Sequence, residues 1–459
     1  VPAKTSPEGF EVVQRAEINH QSDHRLYGPV YRFWAVLLAL LCCFSLLAAC
    51  SREADEEVPE IAAYGEEGAQ FARKLASSCP HRIPYSDQEA RAANLIMEEL
   101  TKYGYQPEKQ TFTVTDQEGG RQSSANVIAR LKGRGFQLAQ KRDGSDPGQL
   151  PAEVNDRIMV IGAHYDTPAF ILPEQTEDGQ EEEVLLPDGI HNNASGVASV
   201  LTAARILRQE APGYDLVFVF FGAGTDNYRG ASHFLSSLSS EERRRIDVMV
   251  NIGPVYAGDK VYAHAGQNSV RSGEYKDYAK RRKLYQVTDI FFEFQLNTRN
   301  RYAIYTNQAS FFVDLDSGGQ AVFREWTTKL SDHTPFDRAG IPVVFMESGD
   351  YRVKTTDDVY IESRNPYFQD TGGVISGTRF DQTGILEELF RQMDEQTVGQ
   401  TIPAIDPDGL PPGETGAGRS PKDNSKQVIV PRLVQRINNT AFVLVQLTRK
   451  GPLNYDYKD

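Results

Sequence analysis

Cysteine is nearly absent from this chain, with four in 459 residues. Cys42 and Cys43 lie inside an apolar run, which leaves Cys50 and Cys79 for the rest. If Cys50 is modified, no disulfide framework holds the fold. Positive charge is also short: 49 Lys and Arg face 63 Asp and Glu, a net charge of −14. That argues against a nucleic-acid backbone or an anionic membrane surface as the main partner. A long hydrophobic run is missing too. The apolar stretch Trp34–Ala49 has 16 residues, short of the roughly 20 that span a bilayer. No internal repeat is visible. What remains, 40% hydrophobic and 24% charged, fits a globular protein with a sizeable core.

The short apolar run follows Arg32 and ends Leu47-Ala48-Ala49-Cys50. It suits a signal-peptide core. Its end resembles a bacterial lipobox, in which cleavage leaves an amino-terminal cysteine that is then lipidated. The resemblance implies a leader and signal over 1–50, lipidation at Cys50 and a polar tether over 51–66. It also implies a protein of the cell envelope, anchored to the membrane by lipid and exposed outside the cytoplasm. An uncleaved membrane anchor is the alternative. With Cys50 lipidated, Cys79 has no intrachain partner.

Helical spacing runs over Gly68–Ser78 and Asp87–Tyr103. Thr111–Val114 and Ala125–Leu131 read as strands. Gln137–Glu153 is a polar insertion. A second, Ala169–Leu186, holds Glu181-Glu182-Glu183 and reads as a solvated loop. Ile158–Ile161, Leu216–Phe221, Val248–Ile252 and Val343–Met346 are continuous apolar runs of the kind buried on both faces of a parallel sheet. Ala194–Arg208 is a helix between two of them. Strands alternating with helices predict an α/β protein, a three-layer α/β/α arrangement around a mixed, mostly parallel sheet. The globular domain is expected over 67–396, a Pro/Gly-rich linker over 397–426 and a tail of unknown role over 427–459. Within the tail, Ala441–Val445 reads as a lone strand.

Open α/β sheets place their chemistry at the carboxyl ends of strands. His164 and Asp166 follow the first buried run directly, as Gly162-Ala163-His164-Tyr165-Asp166. A carboxylate beside an imidazole can fix its tautomer for metal ligation. Further segments collect at strand ends. Asn192-Asn193-Ala194-Ser195-Gly196-Val197-Ala198 opens a helix. Gly222-Ala223-Gly224-Thr225-Asp226 follows the second run, and Asn251-Ile252-Gly253 the third. Ser331-Asp332-His333-Thr334-Pro335-Phe336 precedes Ala339-Gly340-Ile341-Pro342.

In this order the segments resemble the family-28 zinc aminopeptidases of the MH clan, from about Gly68 to Arg391. The resemblance implies two zinc ions clamping a water. It places metal ligands at His164, 192, 225, 253 and His333, and a general base at 224. Only the two histidines match. Asn192 stands at the bridging Asp position, Gly224 at the base, Thr225 at the ligand Glu and Gly253 at the last Asp. An amide bridges two dications poorly, and glycine offers no donor. Asp188, His191 and Asp226 are neighbours that would have to serve a rebuilt mononuclear site. Glutaminyl cyclases share the fold with one zinc, but Thr225 and Asn192 argue against that reading.

The expectation is therefore a peptidase fold that has lost its two-zinc site and serves as a peptide- or protein-binding module. No cofactor is expected, unless zinc occupies a rebuilt site. The alternative is a zinc-dependent aminopeptidase using that site. Nucleic acid is not expected as a partner.

Overall fold

The apolar runs become the middle of one sheet. The computed structural model describes residues 63–458, apart from 116–118, 140–149, 171–185, 295, 297–303 and 399–430. The leader, Cys50, residues 51–62 of the tether, the Glu181–Glu183 run and most of the Pro/Gly-rich linker lie outside the described residues. In chain order the elements begin with α1 (Gly65–Ser78), α2 (Asp87–Lys102), β1 (Glu108–Thr115), β2 (Arg121–Leu131), β3 (Phe136–Leu138), β4 (Glu153–Val154) and β5 (Ile158–His164). A single π turn (Ile190–Ala194) leads into α3 (Ser195–Leu207), followed by β6 (Asp215–Phe221), α4 (Arg229–Ser237), α5 (Ser240–Arg245) and β7 (Ile246–Ile252). Then come β8 (Lys260–Ala265), α6 (Tyr278–Glu293), β9 (Ile304–Tyr305), β10 (Phe312–Asp314), β11 (Gln320–Val322), α7 (Thr334–Arg338) and β12 (Val343–Gly349). The last elements are α8 (Thr383–Val398), α9 (Arg432–Leu447) and β13 (Tyr455–Tyr457).

Eight strands form the main sheet in the order β1-β2-β6-β5-β7-β12-β8-β9. The central pairs β6·β5, β5·β7 and β7·β12 are parallel. Strands β1 and β2 run antiparallel to each other, β2 runs antiparallel to β6, and β8 to β12. Alternation along each strand sends successive side chains to opposite faces. Met159, Ile161, Leu216, Phe218, Phe220, Val248 and Val250 enter a core shared with α1, α3 and α9. Val160, Val217, Val219, Phe221 and Met249 enter a second core with Phe234 of α4 and Phe336 of α7. Two cores on two faces give the three layers. Each large apolar side chain so buried stabilises the fold by roughly 1.5–3 kcal/mol.

One expectation needs correction. Ala441–Val445 is not a strand; it lies inside α9. Its side chains are buried all round, so the run carries no helical period, and a short apolar window cannot separate helix from strand. The ends of the polar insertion form strands. Phe136 pairs with Val154 and Gln137 with Glu153, and β13 adds a third strand to them. All described residues fall in one compact unit, Pro59–Asp459. Helix α9 is part of it: Leu433, Ile437, Ala441 and Leu444 are fully buried or nearly so.

Candidate functional site

His164 ends β5, is 6% exposed and turns Nδ1 back on its own loop. That nitrogen lies 3.1 Å from the Asp166 carbonyl and 3.4 Å from Asp166 Oδ1. Burial works against the imidazolium, but the hydrogen bond and charge of Asp166 outweigh it, and the His164 pKa is raised. Asp166 is fully buried, yet its own pKa is lowered: burial raises it, and His164 and Thr225 more than offset that.

The Asp166 carboxylate is also closed from the other side. Gly224 N–H donates to Oδ1 at 2.9 Å, Thr225 N–H to Oδ2 at 2.8 Å and Thr225 Oγ1–H to Oδ2 at 2.6 Å. So the β6–α4 loop, where the resemblance places the base and the ligand Glu, lies directly on Asp166. A Cβ built on Gly224 would come within 2.3 Å of His164 Cβ and 2.9 Å of His164 Cγ. No side chain fits at 224 with the loop in this position. Glu89, from α2, supports the same loop, accepting from Ala223 N–H at 2.7 Å and from the Ser124 hydroxyl at 2.8 Å. Burial, then the charge of Asp166, pushes the Glu89 pKa up to about 7.

Gly253 follows β7. A Cβ there would meet Phe345 Cε2 at 2.9 Å. The Phe345 ring is also stacked on His333, with centroids 4.7 Å apart. His333 is 3% exposed, its Nδ1 has no partner among the described residues, and burial pushes its pKa down to about 3. Asn192 Oδ1 is likewise buried without a partner. Its N–H donates to Asp381 Oδ2 at 3.1 Å.

The neighbours that a rebuilt metal site would need are engaged elsewhere. His191 Nδ1 accepts from Ala257 N–H at 3.1 Å, so its proton is on Nε2, which donates to Glu362 Oε1 at 3.2 Å. Asp188 accepts from Ile190 N–H at 3.0 Å, and from the N–H and hydroxyl of Thr383 at 3.0 and 2.7 Å. Asp226 accepts from the Tyr85 hydroxyl at 2.6 Å. Among the described residues, no group of three or more His, Cys, Asp or Glu is placed to hold a metal ion. Two dications would require the carboxylates that 192, 224, 225 and 253 lack, so the donor set does not fit two zinc ions.

Two parts of this site carried no weight in the sequence. Arg82 is fully buried and holds the loops together, donating to the carbonyls of Tyr165 at 2.6 Å, Asp188 at 2.7 Å and Gly189 at 2.8 Å. No sequence signal marks an arginine that binds only backbone. Asp332 is 1% exposed, and neither carboxylate oxygen has a partner among the described residues. Burial pushes its pKa up to about 7. It stood in view in the Ser-Asp-His segment, overshadowed by its neighbour.

Residues 147–376, half of the chain, match the pattern of Peptidase family M28. The alkaline phosphatase isozyme conversion protein of Escherichia coli (strain K12) is 24% identical over 300 residues, 65% of this chain and 76% of that protein. Aminopeptidase YwaD of Bacillus subtilis (strain 168) is 29% identical over 98 residues, 21% of this chain and 18% of that protein. The crystal structure of BSAP, a zinc aminopeptidase from Bacillus subtilis, superposes with a TM-score of 0.51 at 12% identity, covering 87% of this chain and 100% of that one. The family pattern spans half of the chain: the chain belongs to peptidase family M28.

Proposed function

We propose that this M28 chain binds a peptide or protein in the former substrate cleft without hydrolysing it. The observation that carries the reading is the β6–α4 loop seated on Asp166, with Gly224 at the base position and no room there for a side chain. A general base contributes roughly 10²–10⁴-fold, and loss of the metal pair removes more. Charge supports the same reading. Asn192, Gly224, Thr225 and Gly253 together remove four carboxylates, the charge that two zinc dications would balance. The E. coli relative is named for the conversion of another enzyme, which supports a protein as the partner. The short apolar run ending at Cys50 supports lipid attachment and a place in the cell envelope.

A second reading is a zinc aminopeptidase with a rebuilt site. It is favoured by the retained His164 and His333 and by the B. subtilis relative named as an aminopeptidase. One experiment separates the two. Purified protein is analysed for zinc, then assayed on aminoacyl anilides and dipeptides with added zinc, cobalt or manganese. The binding reading expects no stoichiometric zinc and no turnover. Turnover that disappears in His164→Ala and His333→Ala overturns it. The anchor is tested separately: Cys50→Ser should release the protein from membranes or block its processing.

A further inference from the structure

The loop after α9 closes a cavity of about 300 Å³, a size at the lower end of small-molecule sites. It lies at the end of the sheet opposite His164. Tyr214, just before β6, donates its hydroxyl to Asp247 at the start of β7 at 2.7 Å and stands 3.2 Å from the Lys450 carbonyl. Arg282 of α6 donates to the Gly451 carbonyl at 2.6 Å, and Lys283 donates to the carbonyls of Lys450 and Gly451. The loop is therefore held by both the sheet and α6, and the cavity is preformed.

Arg282, Arg449 and Lys450 line the cavity, together with one carboxylate, Asp456. The carboxylates that pair with these cations are not in its wall. Asp247 receives Arg282 at 3.0 Å, Glu210 receives Arg449 at 2.8 Å and Glu293 receives Lys450 at 2.6 Å. Each cation stays partly exposed, so its charge is also felt inside. Two polar atoms of lining residues, Arg449 Nε and Gln286 Oε1, are buried without a partner among the described residues. A fold rarely leaves such atoms unsatisfied.

The sign of this wall is wrong for a metal cation. A purely apolar ligand would strip water from three charges and return nothing. A guanidinium offers a planar fork that matches carboxylate and phosphate oxygens, and an ammonium adds a point charge. A water takes up about 30 Å³ in the liquid, so the cavity has room for an oxyanion and an organic body of several atoms. Leu453 and Tyr455 give that body an apolar surface.

We propose that this cavity is a second ligand site, in which Arg449, Lys450 and Arg282 receive the oxyanion of a small organic molecule. The oxyanion has two sources, a carboxylate or a phosphate monoester. The site is independent of the binding reading above and of any metal at His164.

The test uses the full chain. Isothermal titration compares malate and glycerol 3-phosphate, with glycerol and with sodium chloride at matched ionic strength as blanks. At least one of the two anions should bind saturably, with a Kd of roughly 1 mM or tighter, and the tighter one identifies the source. Arg449→Met should weaken that binding by roughly tenfold or more. Lys450→Met removes an exposed pair that contributes little to stability, so the variant folds; it should weaken binding by roughly threefold or more. Lys354→Ala, an exposed cation on the loop after β12, should leave binding unchanged. No saturable binding of either anion at roughly ten times that concentration overturns the site. So does undiminished affinity in either folded cavity variant, or an equal loss in Lys354→Ala, which would assign the effect to the overall charge.

Discussion

The backbone N–H of Gly224 donates to the Asp166 carboxylate at 2.9 Å, at the position where the family resemblance places a general base. The contact requires glycine. An added Cβ would lie 2.3 Å from His164 Cβ, an atom fixed by its own backbone rather than the far end of a flexible chain. Gly224→Ala is therefore expected to destabilise the fold by roughly 1–3 kcal/mol through overpacking, and Gly224→Glu by more. Urea unfolding measures both. A neutral Gly224→Glu would mean that the loop opens readily, and that restoring the base is easier than the geometry implies.

Thr225 gives a graded test of the same contact. Its hydroxyl donates to Asp166 at 2.6 Å. Hydrogen bonds to a buried charge are worth roughly 1.5–3 kcal/mol. Thr225→Val should lose about that much stability, while Thr225→Ser keeps the hydroxyl and should lose less than 1 kcal/mol. Equal losses in the two variants would assign the role to packing of the methyl group instead.

The sheet was largely legible because its central strands are uninterrupted apolar runs, and such runs follow from burial on both faces. His164 and Asp166 were legible because their short motif closes a buried strand, and His333 because its motif matches the family pattern, although it caps a helix rather than a strand. The seating of the loop on Asp166 was not. Gly224 and Thr225 read only as losses, since the sequence shows which donors are missing and not where the backbone moves once they are gone. Asp188, His191 and Asp226 looked eligible as substitutes by spacing alone. Their partners Thr383, Glu362 and Tyr85 are far away in sequence, and no local pattern announces them.

Gly253 and Phe345 form a further pair for test. The ring edge of Phe345 occupies the space next to Gly253, 2.9 Å from where a Cβ would stand. Gly253→Ala should cost roughly 1–2 kcal/mol, and Phe345→Leu should relieve part of it. A double-mutant cycle reads that coupling directly, and strict additivity would show that the two side chains do not compete for space.

Glu362 sets the acid limit. It is buried, which alone would raise its pKa, but His191, Lys329 and the Ser376 hydroxyl bring it down to about 2. Unfolded, it titrates near the ordinary value of 4.5. Between these values the unfolded chain holds the proton and the native chain does not. Its stabilising contribution is complete above about pH 5 and is lost as the pH falls through 4 towards 2, at up to roughly 1.4 kcal/mol per pH unit. Glu89 has the opposite sign. Its native pKa of about 7 keeps a proton that the unfolded chain has released, so its contribution weakens as pH rises from about 4.5 to 7. Unfolding free energies across this range should show a shallower acid slope in Glu362→Gln, and a smaller loss towards neutral pH in Glu89→Gln. Unchanged slopes would remove both groups from the account.

The C-terminal helix supplies the last prediction. Arg436 of α9 is 1% exposed and donates to the carbonyls of Tyr256 at 2.9 Å, Gly258 at 2.6 Å and Asp259 at 3.0 Å. Those carbonyls belong to the loop after β7, whose Ala257 N–H also holds His191. The helix thus fixes the wall of the site as well as filling the core. Truncation after Val430 would expose the apolar face that receives Leu433, Ile437, Ala441 and Leu444, and should abolish the cooperative unfolding transition. Two point changes separate the helix's roles. Ile437→Ala should cost roughly 2–5 kcal/mol in global stability through its cavity. Arg436→Met keeps most of the volume but leaves several buried carbonyls without a donor. It should therefore also raise amide exchange locally, at Ala257 and Gly258, below the global unfolding limit. Exchange at those amides that stays at the global limit in Arg436→Met would show that the loop is held without the helix.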